Sequence, residues 1–326
     1  MNGNLALGAG GEFDRLRALF ARLGSAARDL GDDCALVPIG GRTLAVSIDL
    51  SLERVHFRTD WLSFRAIGWR AAAAALSDLA AEGAAPLGVL MTLGVPGDGG
   101  GRGARSRRRS PPDPATEIAA GVGSAVRQVG ARVLGGDLVR SPRYLVDVCA
   151  LGLADPPVRR RGARPGDGLW VTGRLGGPGR ALAALRRGQQ PPPRAFQRFA
   201  HPEPRIAAGR WLARHGARAL IDISDGLAAD AAHLAAASGV RAEIALERIP
   251  CWAGVSPRAA ARSGEEYELL VALPPRFGDG DARQFQRATG LGLTRVGRCA
   301  AGRGVRVTER GHPVPAPAGY DHFPAA

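Results

Sequence analysis

The sequence predicts an α/β (α+β) protein of two domains, each mixing helix and strand. The chain has 326 residues, and at roughly 150 residues per domain that is enough for two sizeable cores. Hydrophobic residues make up 45% and charged residues 23%, a balance that fits neither a disordered nor a fibrous protein. Apolar patterns of period two alternate with patterns of period 3.6 along the chain, the arrangement of strands and helices that share a core.

In order, the periodicity predicts a helix over residues 12–23, then strands over 34–37 and 43–49. Residues 65–81 read as a long alanine-rich helix, a composition that lets neighbouring backbones pack closely. A strand over 87–95, a helix over 116–129, a short buried strand over 132–134 and a strand over 144–151 follow. Residues 97–113, GDGGGRGARSRRRSPPD, have no periodicity and read as a loop or insertion. A second unit starts near Asp155, with strands over 169–172, 219–223, 241–246, 268–273 and 294–298. Its helices are expected over 179–187, 204–215, 227–237 and 282–288, with Pro191, Pro192 and Pro193 as a surface connection. The expected division is an N-terminal domain over 1–154 and a C-terminal domain over 155–326, with no solenoid repeat.

The formal charge is +14, from 44 basic and 30 acidic residues, and every basic residue is arginine. Without lysine there is no Schiff base, no P-loop lysine and no Ser-Lys nucleophile pair. Such a charge points to an anionic partner, although a GC-rich coding bias produces the same composition. No stretch is long and apolar enough for a membrane span, and the best candidate, AAAAALSDLAA, carries Asp78. Cys34, Cys149, Cys251 and Cys299 are far apart, which fits neither a zinc site nor a disulfide framework. Glu12 and Asp14 precede the first arginine, the reverse of a signal peptide, so a cytoplasmic protein with reduced thiols is expected.

Several acids fall where a strand ends and a glycine-rich turn begins. Asp32 and Asp33 follow Gly31, Asp49 closes TLAVSID, Asp137 follows Gly135 and Gly136, and Asp222 and Asp225 sit in IDISDG. Carboxylates of this kind beside close-approaching backbone suit a hard cation, and scattered single aspartates suit Mg²⁺ with substrate phosphates. Taken singly, each is more readily read as a turn former or helix N-cap. Asp78 stands inside an apolar helix, where burial without a partner is costly; the alternative is a helix turned so that Ser77 and Asp78 face water. His56 and Tyr320 are equally read as a packed histidine and a tail anchor.

Taken together the motifs resemble the thiamine-monophosphate kinase family, related to aminoimidazole ribonucleotide synthetase and selenophosphate synthetase. They run in family order: GEF from Gly11, GDDCAL from Gly31, VSxD from Val46, VHF from Val55 and LSDLAAxGAxP from Leu76. GGD from Gly135, RSP from Arg140, GARPGD from Gly162, DISDGL from Asp222, GExYEL from Gly264 and GYDHF from Gly319 complete them. The resemblance implies a two-domain PurM-like architecture, with an N-terminal domain that binds ATP and magnesium and dimerises and a C-terminal domain that completes the site. It implies magnesium positions at Asp33, Ser47, Ile48, Asp49, Asp78, Asp137, Asp222 and Asp225. It places Gly136, Asp137, Arg160 and Ser224 at ATP, and His56, Glu265 and Tyr320 at thiamine monophosphate. The implied reaction is ATP-dependent phosphorylation of that substrate to thiamine diphosphate by several Mg²⁺ ions, with no catalytic general base, in a homodimer.

The chain departs from the family pattern near the site. Ile48 and Leu50 replace threonines around Asp49, so Ile48 could serve a metal only through its carbonyl. Leu138 and Val139 replace a threonine pair, Ser263 and Arg54 replace glycines, and Glu82 replaces an apolar residue. The family's aromatic residue at the ATP base has no match in residues 97–113. Two other readings follow: a family member with weakened or lost activity, and a basic nucleic-acid or regulatory binder acting through Arg102, Arg105, Arg107, Arg108 and Arg109. The second lacks the interleaved aromatics that stack bases.

Overall fold

The computed structural model describes residues 3–97 and 112–323. The arginine run at 102–109, and with it the nucleic-acid reading, lies outside the described residues.

The N-terminal part is built from α1 (Gly11–Leu23), β1 (Ala35–Ile39), β2 (Arg42–Leu52), α2 (Phe64–Ala81), β3 (Ala85–Val95), α3 (Pro114–Gln128), β4 (Arg132–Arg140) and β5 (Leu145–Leu153). Its five strands lie in the order β1-β2-β5-β3-β4, antiparallel except for the parallel β3/β4 pair. The alternation of strand side chains sends Ala45, Ser47, Val146, Val148 and Ala150 inward beneath α2.

The second part holds β6 (Gly168–Thr172), α4 (Gly177–Arg186), α5 (Pro193–Ala200), α6 (Ile206–Arg214), β7 (Ala219–Asp222), α7 (Leu227–Ser238) and β8 (Arg241–Ala245). It closes with α8 (Pro257–Arg262), β9 (Leu269–Leu273), α9 (Asp279–Thr289), β10 (Leu293–Ala300), β11 (Gly304–Glu309) and β12 (His312–Val314). Seven strands lie in the order β12-β11-β8-β10-β6-β9-β7, and only β8/β11 is parallel.

Helix α2 joins the two parts. The Ser63 hydroxyl caps it by accepting the Ala66 N–H at 3.2 Å, and its side chains are buried on nearly every side. Small residues make this possible. A Cβ on Gly68 would lie 1.9 Å from the Ile118 carbonyl oxygen, and one on Gly121 2.0 Å from that of Arg65, so α2 and α3 touch backbone to backbone. On the other flank α6 approaches as closely, since a Cβ on Gly209 would lie 1.9 Å from the Ala80 oxygen. One buried cluster runs from the α2/α3 layer into Leu220, Leu269 and Val271 of the second sheet.

Four sequence expectations are corrected. The strand expected over 132–134 extends to Arg140 and is exposed, because a bulge between Val89 and Leu90 renews its pairing with β3. Asp137 therefore stands in a strand, not a turn: a Cβ on Gly136 would lie 1.8 Å from the Met91 oxygen, so the glycines serve strand approach. Asp49 likewise lies inside β2 rather than at its end. The proline run does not merely connect, since Pro193 is the first residue of α5, where a missing N–H costs nothing.

Candidate active site

On α2, Arg70 and Ser77 are seven residues apart, about two turns, and so share a face. That face meets the second part. The Ser77 hydroxyl donates to Asp222 Oδ2 at 2.7 Å, and Arg70 donates to the Phe199 carbonyl and, at 2.5 Å, to Glu265 Oε1. Asp78, the next residue, accepts a very short hydrogen bond from the Ser47 hydroxyl on β2. The alternative in which Ser77 and Asp78 face open water is thereby excluded, for Ser77 is fully buried.

Asp33, Asp78 and Asp222 converge, each offering an oxygen within 4.8 Å of the others. Arg160 grips Asp33 from the start of the second part, with Nε at 3.0 Å from Oδ2 and Nη2 at 2.9 Å from Oδ1, while its main-chain N–H reaches Asp32 at 2.8 Å. The remaining carboxylates are short of positive charge. Burial, then the neighbouring Asp33, raises Asp222 to about 7. Burial and Asp222 hold Asp78 well above the usual range, and burial with Asp147 raises Asp49 to about 6. Burial and Glu12 raise Asp225 to about 6. Hard oxygen donors, clustered and under-neutralised, fit Mg²⁺.

A cavity of about 1430 Å³ opens beside this cluster. Asp49, Asp78, Asp222, Asp225 and Glu265 line its acidic side, and His56, Tyr320, Arg54, Arg186 and Arg262 also reach it. His56 Nδ1 accepts the Leu52 N–H at 3.1 Å, and burial lowers the ring to about 4, so the neutral ring carries its proton on Nε2. The segment Ser263–Leu269 is tied to the DISDG turn by the Glu265 N–H to the Ser224 carbonyl, 2.6 Å, and by the Tyr267 N–H to that of Ile223, 2.9 Å. Glu265 and Tyr267 both hold positive φ, 55° and 49°, strain characteristic of functional loops. The Tyr320 N–H to the Asp225 carbonyl, 3.0 Å, fixes the C-terminal segment over the cavity.

The substitutions near the site have visible local consequences. Arg54 keeps a left-handed backbone, φ 66°, the conformation that a glycine adopts without strain. The Ser263 hydroxyl accepts the Gly179 N–H at 3.0 Å at the start of α4. The Ile48 side chain is 70% exposed on the sheet face opposite Ser47 and Asp49, so only its main chain is directed otherwise.

Gly136 and Asp137 are not brought to this cluster. Asp137 is exposed on edge strand β4, where its Oδ1 accepts the Leu138 N–H at 2.8 Å. It aligns with Thr92, Asp147 and Leu50 across the sheet, on the face away from Asp49. Sequence reasoning missed Arg70, Asp230 and His322. Asp230 Oδ2 accepts the N–H groups of Asp225 and Gly226 at 3.3 and 3.0 Å, and the His322 ring lies 5.1 Å from that of His56. Arg70 carried a signal, a charge inside the alanine-rich helix a heptad before Ser77; Asp230, four residues beyond a glycine turn, carried none.

Residues 31–154 match the AIR synthase related protein N-terminal domain, and residues 164–310 match the corresponding C-terminal domain. A thiamine-monophosphate kinase of Halobacterium salinarum is 35% identical over 299 residues, 89% of this chain and 95% of that protein. The chain belongs to the thiamine-monophosphate kinase family. Another member, from Methanopyrus kandleri, is 32% identical over 85% of this chain and 84% of its own length. A solved structure of a ThiL protein complexed with AMPPCP and TMP superposes with a TM-score of 0.81 at 30% identity, covering 96% of this chain and 97% of that one. Membership makes the chain an enzyme of this kind with two AIR synthase-type domains. Among the described residues no helix is long and apolar enough to cross a membrane.

Proposed function

We propose that this enzyme transfers the γ-phosphoryl group of ATP to the phosphate of thiamine monophosphate, giving thiamine diphosphate and ADP, in the cytoplasm. The observation that carries the reading is the convergence of Asp33, Asp78 and Asp222 beside a cavity large enough for both substrates. It is supported by the relatives named for that activity and by the related structure complexed with AMPPCP and TMP.

The acceptor is a phosphate monoester with a second pKa near ~6, so it is already largely a dianion at neutral pH and needs no general base. Asp33, Asp49, Asp78, Asp222 and Asp225, with Ser47 and the Ile48 carbonyl, would hold Mg²⁺. Mg²⁺ held there would supply the positive charge that neutralises the triphosphate and the acceptor phosphate, so that the chain could bring the two anions into line. The chain's own work is positioning. Arg160 and Ser224 would steady the triphosphate. His56 offers an Nε2–H to the acceptor, Glu265 faces its cationic ring system, and Tyr320 closes the cavity. Glu265 is itself held in place by Arg70.

A homodimer is part of the proposal. Val37, Ile39, Ile48, Leu50, Leu90 and Val139 form an exposed apolar face on the outer side of the first sheet, far more than scattered surface residues would supply. Asp137 lies on that face, so a role for it at ATP requires the assembled dimer. The proposal also sets the domain boundary at 154/155, in the segment between β5 and β6, a reading supported by the matched family domains over 31–154 and 164–310. The test is product formation from ATP, Mg²⁺ and thiamine monophosphate, with Asp49→Asn as the site control.

A further inference from the structure

Glu82 ends α2, directly behind the acidic cluster, and is fully buried. Neither of its carboxylate oxygens has a well-formed hydrogen bond, although the Cys34 N–H lies near enough to favour the charged form, and Asp32 Oδ2 is also without a partner. An ionised carboxylate in such a place is costly unless a positive charge meets it. Asp32, Asp33 and Glu82 each point an oxygen into one spot, within 4.8 Å of one another. Among the described residues no cation fills it. Arg160 directs its guanidinium to Asp33 and the Gly31 carbonyl and meets Asp32 only through its main-chain N–H. Arg159 acts on Asp32 and Glu82 through space and forms no ion pair with them. A carboxylate has about four lone-pair sites, so Asp33 keeps acceptor capacity after Arg160 takes two. With all three acids ionised, the one guanidinium in direct contact, that of Arg160, leaves two negative charges to be met at a distance by Arg159 or directly by a bound cation.

We propose that Asp32, Asp33 and Glu82 form a separate site for a hard divalent cation, Mg²⁺ or Mn²⁺, adjoining the Asp33, Asp78 and Asp222 cluster and sharing Asp33 with it. Three converging oxygens on a rigid helix end and the loop before β1 suit such an ion, whose remaining positions water can fill. The inference does not depend on the proposed reaction, because it needs neither nucleotide nor acceptor.

The experiment is a titration of the full-length, nucleotide-free protein with Mn²⁺, reading free Mn²⁺ by electron paramagnetic resonance. Wild type is expected to bind one ion more than Glu82→Met and one more than Asp32→Asn, while Asp222→Asn retains the Glu82-dependent ion. Methionine matches the size of glutamate and keeps the helix end packed; should Glu82→Met fail to fold by circular dichroism, the half-buried Asp32→Asn decides the matter alone. Equal stoichiometry and affinity in wild type and the folded variants would overturn the proposal and make Glu82 a buried neutral acid. A kinase assay without product would leave these outcomes unaffected.

Discussion

Arg160 holds both oxygens of Asp33, at 3.0 and 2.9 Å, so the entrance to the second domain is fastened to the acid that precedes the first strand. The Asp33 side chain is almost fully buried, and the attraction raises the Arg160 pKa beyond its usual value. Arg160→Gln should leave a buried carboxylate without its fork and remove a donor to the triphosphate. A loss of 10- to 100-fold in kcat/KM for ATP, about 1.4–3 kcal/mol, is expected. Steady-state kinetics with ATP varied would check it; an unchanged kcat/KM would detach Arg160 from the nucleotide.

The acidic cluster makes stability depend on pH and metal together. Asp49, Asp222 and Asp225 titrate near 6, 7 and 6 in the folded chain against an ordinary 3.8. The folded chain therefore binds protons that the unfolded chain has released. This contribution to stability is fully present below about pH 4 and is lost as pH rises through 6 to 7, where the carboxylates ionise unpaired. Divalent cations should raise Tm more at about pH 8 than at about pH 5. A thermal-melt series showing the opposite order would contradict the assignment of these acids to a cation centre.

Arg70 is buried against the Phe199 ring and carbonyl and pairs with Glu265. Replacing it by Met removes one partner of a mostly buried pair, which costs about 3–5 kcal/mol at full burial and somewhat less here, where Glu265 is partly exposed. The free Glu265 should also lose its fixed orientation. The expected signature is a lowered denaturation midpoint together with a raised KM for the acceptor and little change in KM for ATP.

Gly209 sets the contact between the domains. A methyl there would meet the Ala80 carbonyl, so Gly209→Ala must push α6 away from α2. Destabilisation of about 1–3 kcal/mol is expected, with weaker Mg²⁺ binding because the Ser77 to Asp222 hydrogen bond spans the same junction. Urea unfolding with and without Mg²⁺ measures both.

Much of this architecture was written locally. The alanine-rich helix expected over 65–81 is α2 at Phe64–Ala81, because its small residues announce it; the Ser63 cap that starts it went unread. Strand β4 was read too short because the glycines at 135 and 136 look like a turn until β3 is beside them. Strands β11 and β12 went unread because they are short and lie among exposed arginines and glycines; in β11 only Val305 and Val307 alternate. At the site, Asp33, Asp78 and Asp222 stood out as acids in apolar or glycine-rich surroundings, and the fold brings them together. Arg70 and Asp230 stayed hidden because what they hold, Glu265 and the turn at Asp225, arrives from distant or irregular segments. The exposure of Asp137 was also hidden, since only the sheet order puts it on the outer face.

The central claim is that the acids between the two domains support phosphoryl transfer to thiamine monophosphate. The most direct measurement is thiamine diphosphate formed from ATP, Mg²⁺ and thiamine monophosphate by wild type and by Asp49→Asn, whose side chain lines the cavity. The account predicts product with wild type and a loss of at least about 100-fold in the variant, some 2.7 kcal/mol of transition-state stabilisation. No product from folded wild-type protein, or equal rates from the two proteins, would contradict it.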